Sequence, residues 1–257
     1  MPTNIAKIFS IVFAFAFAIY SGSTVADTIT VRSSPPVIAA PQFNQTTPKY
    51  NAFGSVAISA ASLPAARKWR DVTDQDYTGF FGAACTDSFS GCNGTFGRKV
   101  SAAIGIAQET SGVALLSLAN RTVNSALTYR SDAQNWHSND YWATVSEMAV
   151  KGAGDCEDFA TAKYWFLRAA GVSERDLQVV VLSDTRRQLY HAVLAVYLDG
   201  QIYILDNLSS RVRRDSQLPN YMPIMSFANG KSYIHGFTNR TSGFAGSFDA
   251  VSPGEGI

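Results

Sequence analysis

Apolar and polar positions change period along this chain, and each change marks an element. Residues 8–19 are apolar apart from Ser10. From 99 to 129 apolar positions recur at helical spacing, with Ile104, Ala107, Leu115, Leu118, Val123 and Leu127 as the expected core side and Gly112 as a candidate break. Thr144 followed by Glu147 three residues later reads as a capping box, opening a short helix that ends near Gly152 and Gly154. A second helix opens at Asp155 or Cys156 and runs to Ala170, with Gly171 as its C′ residue. Past it the period falls to two. Residues 177–182 form a β-branched run, 184–188 a polar turn, and 191–198 an alternating strand. Asp199-Gly200 predicts a tight hairpin to a partner strand over 201–205. A short helix over 62–72 with Ser62 as N-cap, a Gly-rich loop over 79–97 and a polar connection over 131–142 complete the body. The fold class that follows is α+β, with antiparallel strands packed on the helix that begins at Cys156.

The ends read differently. Lys7, the apolar run after it, and small residues at Thr24 and Ala26 predict a signal peptide over 1–26, cleaved before Asp27. A retained anchor is the competing reading, but the apolar run falls short of the roughly 20 residues of a comfortable span. Pro35, Pro36, Pro41 and Pro48 mark 27–50 as an extended arm. A single domain is expected over 51–236, and a flexible tail rich in Gly, Ser and Thr over 237–257. The formal net charge of +1 becomes zero when Lys7 leaves with the signal. Arg211, Arg213 and Arg214 are too few to suggest a nucleic-acid partner.

Export changes the meaning of the cysteines. Cys85 and Cys92 stand close together in the Gly-rich loop, where an oxidising compartment permits a disulfide. Cys156 is left over. Buried inert cysteines are common, yet this one sits in Gly154-Asp155-Cys156-Glu157-Asp158, among acids at a helix start. A free thiol titrates at about 8.5 and needs help to react as thiolate. The helix start offers unpaired N–H groups and a positive dipole end. His191, at the start of a strand after a polar turn, is the best imidazole; His137 and His235 are weaker. Counting outward from Asp199-Gly200 puts Asp206 diagonal to His191 on the same face, where it can orient the ring. A turn-forming role with Asn207 competes for Asp206. Cys156, His191 and Asp206 thus make a candidate acyl-transfer site acting on a carboxamide bond. The acids beside the thiol oppose its ionisation. Either they point away and cap the helix, or they hold a hard cation with a loop carbonyl and water, to which Asp140 adds an oxygen.

These residues are similar to a known family. Asp140-Tyr141-Trp142-Ala143-Thr144, Gly154-Asp155-Cys156-Glu157-Asp158-Phe159-Ala160, Lys163-Tyr164, His191 and Leu205-Asp206-Asn207-Leu208 resemble the bacterial transglutaminase-like cysteine proteinases, the LapG family of periplasmic proteases. Pro223-Ile224-Met225-Ser226 is a weaker match. The resemblance implies a papain-like, transglutaminase-core fold with Cys156 as nucleophile, His191 as base and Asp206 as its orienter. It implies calcium bound by the acids flanking the thiol, which tips the choice above toward a metal site at Asp155 and Glu157, with Asp140 as a further ligand. It also implies a periplasmic enzyme that clips the N-terminal region of a large surface adhesin, after paired alanines in a Thr-Ala-Ala-Gly-like segment, and so ends biofilm attachment. An inner-membrane receptor responsive to cyclic-di-GMP would sequester it. The Cys85/Cys92 loop and the tail depart from the family core. Two rival functions stand beside this one: transfer of a glutamine acyl group to an amine, and a non-catalytic periplasmic binding module.

Overall fold

The computed structural model describes residues 50–82, 85, 89–238 and 246–254. The expected signal peptide 1–26 and the arm 27–50, up to its last residue, lie outside the described residues. That last residue, Tyr50, is buried, and its hydroxyl donates to the Arg175 carbonyl at 3.1 Å. No helix among the described residues is long and apolar enough to cross a membrane.

In chain order the body contains β1 (Val56–Ser59), α1 (Pro64–Thr73), α2 (Thr95–Glu109), α3 (Gly112–Ala126), β2 (Thr128–Tyr129), α4 (Asp132–Asn135) and α5 (Val145–Lys151). There follow β3 (Ala153–Gly154), α6 (Cys156–Ala169), β4 (Leu177–Asp184), β5 (Leu189–Leu198), β6 (Gln201–Asp206), β7 (Ser209–Arg214), β8 (Tyr221–Ala228) and β9 (Lys231–Gly236). The expected three strands are the centre of a seven-stranded antiparallel sheet ordered β1-β9-β8-β4-β5-β6-β7. β2 and β3 form a separate two-stranded parallel pair.

Alternation along β4 and β5 builds two cores. Val179, Val181, Ala192, Leu194 and Val196 join the large cluster that includes Phe159, Ala162 and Phe166 of α6. Val180, Leu182, Val193 and Ala195 turn to the other face and join Leu218 and Tyr221. Burial of each such Val or Leu contributes about 1.5–3 kcal/mol, so the two central strands are fixed from both sides. The β5–β6 hairpin turns at Asp199 and Gly200, both at positive φ (51° and 71°), as a two-residue turn of matching twist requires. Its register, Leu198 opposite Gln201 through Leu194 opposite Leu205, is the expected one.

Other boundaries moved. The helix expected over 62–72 starts at Pro64, with Leu63 in place of Ser62 as the capping residue; Pro at the first helical position fixes the entry. The long helical pattern breaks at Gly112, whose φ of +62° turns the chain between α2 and α3. Within the loop expected over 79–97, residues 78–81 form a 3-10 turn and α2 begins at Thr95. Cys85 and Cys92 are disulfide-bonded, with Cα atoms 5.6 Å apart. Of the tail expected to be flexible, residues 246–254 lie against the body. Val251 is buried, and the Gly254 N–H donates to the Tyr190 carbonyl at 2.9 Å.

Candidate active site

Two short segments fix the thiol. The capping box at Thr144 and Glu147 forms as expected, with the Glu147 N–H to Thr144 Oγ1 at 3.3 Å and the Thr144 N–H to Glu147 Oε2 at 2.8 Å. It starts α5, which Gly152 ends in a left-handed conformation. Two residues of β3 then lead into α6, where Asp155 is the capping residue and Cys156 the first helical one. Asp158 folds back over Gly154 to accept the Asp155 N–H at 3.3 Å and the Ala143 N–H at 2.8 Å. A Cβ on Gly154 would stand 2.6 Å from that of Asp158, so the turn needs glycine there. Asp158 is therefore occupied in tying the helix start to the Trp142–Ala143 segment.

The sheet supplies the imidazole and its carboxylate. His191 is the third residue of β5 and Asp206 the last of β6, and His191 Nε2 lies 2.9 Å from Asp206 Oδ1. Both side chains are buried. The Leu208 N–H donates to Asp206 Oδ1 at 2.9 Å, and the Tyr221 hydroxyl donates to Oδ2 at 2.7 Å. Burial alone would favour the protonated acid, but the His191 hydrogen bond and charge, with the Leu208 and Tyr221 donors, hold the Asp206 carboxyl below the usual carboxylate range. An ionised carboxylate only accepts, which places the ring proton on Nε2 and leaves Nδ1 a lone pair. The Tyr221 ring also stands edge-on to His191, with centroids 5.8 Å apart.

The thiol meets a less settled environment. Cys156 is buried and donates to Glu157 Oε2 at 3.3 Å. Burial first, and Asp155 second, push the thiol up; the Ala192 N–H, next in chain to His191, and the Glu157 bond act in the opposite sense. Asp132, Asp155 and Glu157, all buried, each offer a carboxylate oxygen, and the three oxygens lie within 4.8 Å of one another. Burial raises Asp155 to about 7, and burial followed by the charge of Asp155 raises both Glu157 and Asp158. Asp155 Oδ1 and Glu157 Oε1 are buried with no hydrogen-bond partner. Three crowded hard oxygen donors, Asp155 and Glu157 each with an unpartnered oxygen, suit a calcium-like cation.

Asp140 does not belong to that cluster. It pairs with Lys68 and accepts from Trp142 Nε1 at 3.0 Å. The carboxylate that clusters with Asp155 and Glu157 is Asp132, whose backbone N–H α4 brings to Asp155 Oδ2 at 3.3 Å. A polar loop gave no sequence signal for this residue. Tyr221 was also missed, since it reaches the site from β8, two strands from β5. His235 is excluded from the chemistry: Ser55 Oγ lies 2.7 Å from its Nδ1, and Ser226 Oγ 2.8 Å from its Nε2. A cavity of about 270 Å³ opens onto His191, bordered by Tyr129, Arg187, Leu208 and Gly254.

No curated protein matches the chain. Solved structures of Legionella pneumophila LapG are similar to it. One is 30% identical, covering 55% of this chain and 81% of that one, with a TM-score of 0.47. A calcium-bound form is 28% identical over 63% and 87% of the two chains, with a TM-score of 0.48. An EGTA-treated form is 28% identical over 57% and 84%, with a TM-score of 0.47. The family profile of the bacterial transglutaminase-like cysteine proteinases matches residues 72–233. That stretch is well over half of the chain and holds the thiol, the imidazole and the buried acids, so the chain belongs to this family and is a cysteine peptidase.

Proposed function

We propose that the protein is an exported, periplasmic endopeptidase whose nucleophile is Cys156, whose general base is His191 and whose orienting acid is Asp206. The observation that carries this reading is the buried His191–Asp206 bond together with a thiol at the first position of α6 that the backbone N–H of Ala192, the residue after His191, reaches. Asp206 keeps the ring proton on Nε2, so Nδ1 accepts the thiol proton. The sulfur then attacks the scissile carbonyl carbon, and the carbonyl electron pair moves to oxygen. The Cys156 N–H, free of intrahelical bonding at the helix start, faces that developing charge. His191 returns its proton to the leaving amine as the C–N bond breaks. Water, deprotonated by the same ring, releases the acyl group from sulfur.

The resident cation would be calcium, held by Asp132, Asp155 and Glu157. Bound there, it would neutralise the acids that disfavour thiolate and satisfy the unpartnered oxygens of Asp155 and Glu157. The substrate proposed is the N-terminal region of a large surface adhesin, cut after paired alanines, with loss of biofilm attachment as the outcome. An inner-membrane cyclic-di-GMP receptor is the proposed regulator.

The test is incubation of the mature protein with the N-terminal region of a large adhesin from the same organism, with and without calcium. A new amino terminus after paired alanines, formed only with calcium, is the expected result. Ammonia and a crosslinked product in place of a new terminus would overturn the peptidase assignment in favour of amine transfer.

A further inference from the structure

Lys163 has no place in the chemistry described so far, yet it lies beneath it. It is fully buried on α6, and its Nζ has no hydrogen-bond partner. Burying an amine without a partner costs several kcal/mol or leaves it neutral. A methionine of similar length would fill the same space without that cost. The position of the amine explains what it gains in return.

Cys156, Phe159 and Lys163 follow one another at spacings of three and four, so they share a stripe of α6. Helical side chains lean toward the N-terminus. The Lys163 stem accordingly runs back along the stripe, and Nζ sits 5.7 Å from the ring centroid of Phe159, the residue one turn nearer to Cys156. Two groups bear on it electrostatically, Asp206 and Cys156, and both favour its charged form against burial, which lowers it to about 7. One amine therefore feels both the carboxylate that orients His191 and the sulfur that His191 is to deprotonate. The hydrogen bonds of Asp206 are already filled by His191, Leu208 and Tyr221, so Lys163 acts on it through charge.

We propose that Lys163 is a positioning residue for the reaction, its side-chain nitrogen serving as the buried counter-charge that holds the Asp206–His191 pair and the Cys156 sulfur in their reactive arrangement. The inference rests on the Cys156–His191–Asp206 reading above and deepens it. When protonated, an amine placed among these groups stabilises the ionised Asp206 that fixes the ring proton of His191. It does so from α6, and it is not among the residues that border the cavity at His191.

The experiment compares Lys163→Met and Lys163→Arg with the wild type, all in calcium. Turnover is read with an internally quenched peptide carrying Thr-Ala-Ala-Gly, alkylation of Cys156 with iodoacetamide, and folding by Tm. Lys163→Met is expected to lower kcat on the order of 10- to 100-fold with KM within about twofold. It should slow alkylation similarly, and its Tm should equal or exceed that of the wild type. Lys163→Arg, which keeps the charge, should lie closer to the wild type than Met does. A Lys163→Met enzyme within about twofold of wild type in both kcat and alkylation overturns the proposal. So does a loss of activity that merely tracks a fall in Tm, which would make Lys163 structural. Should the wild type fail to cut the peptide, the substrate assignment falls, and slower alkylation of Lys163→Met still supports the role given to Lys163.

Discussion

At the end of β6, the chain by itself satisfies what the chemistry needs. Asp206 accepts from His191, from the Leu208 N–H and from the Tyr221 hydroxyl, and its carboxyl is held in the ionised form. At the first turn of α6, conditions are reversed. Asp155 Oδ1 and Glu157 Oε1 are buried without partners, burial and mutual repulsion raise the acids, and the thiol donates to Glu157. The imidazole half of the site is complete in the folded chain, while the thiol half crowds acids that resist ionising together and that a bound cation would hold as carboxylates. If calcium binds there as proposed, such a protease would be switchable at one half only: withdrawing the cation would disable the nucleophile and leave the His191–Asp206 pair standing.

Four measurements break or sharpen that contrast. Asp206→Asn should cost the most, about 10²–10⁴-fold in kcat on the Thr-Ala-Ala-Gly peptide, because an amide no longer fixes the ring proton on Nε2. Its gain in Tm on adding calcium should match that of the wild type; a lost calcium response would mean the halves are not separable. Asp132→Asn comes next, weakening calcium about 10- to 100-fold by isothermal titration. Asp140→Asn, which weakens a partly exposed pair with Lys68 and keeps an acceptor for Trp142, should change the affinity far less than Asp132→Asn does. Tyr221→Phe removes one donor from a buried carboxylate and should lower kcat about tenfold, with KM and calcium affinity kept.

The smallest effect is a slope with pH. Asp155 is raised to about 7, above the ordinary value of about 3.9. The folded state then binds that proton more tightly than the unfolded chain, so stability without calcium falls as pH rises from about 4 to about 7. Asp206 is depressed, so its contribution is constant in that window and is lost only at lower pH. Glu157 and Asp158 are raised in the same sense and, with Asp155, outweigh the buried His235, which is lowered to about 4 and opposes them. The Tm of calcium-free protein should therefore decline across this range, and saturating calcium should flatten the decline. A calcium-free Tm that rises over the same interval would contradict the account of the acids.

Local rules explain which parts could be read from the residues alone. The Thr144–Glu147 box, the start of α6 at Cys156, the break at Gly112 and the Asp199-Gly200 turn each depend on neighbours within a few positions. The hairpin count worked because a two-residue turn fixes register, and it carried Asp206 to His191 across one strand pair. What escaped was set by distant pairing. β7 reads Ser209 to Arg214 with one apolar residue, Val212, so nothing in its composition announces a strand. β1 is mostly exposed and finds its place only against β9, far along the chain. Asp132 meets Asp155 because Thr128 and Tyr129 pair with Ala153 and Gly154, a parallel contact of two residues with no periodic signal. Tyr221 reaches Asp206 because β8 adds to β4. Side chains that act through a neighbour in sequence were legible, and those delivered by sheet order were not.

The central claim, that the sulfur of Cys156 performs the bond cleavage, is tested most directly by alkylation with peptide mapping. Calcium-loaded protein treated with iodoacetamide near neutral pH should be labelled at Cys156, with cleavage activity falling in proportion to the labelled fraction. The Cys156→Ala protein should fold, resist labelling and cut nothing. Full activity in protein whose Cys156 is completely alkylated, or undiminished cleavage by Cys156→Ala, would contradict it.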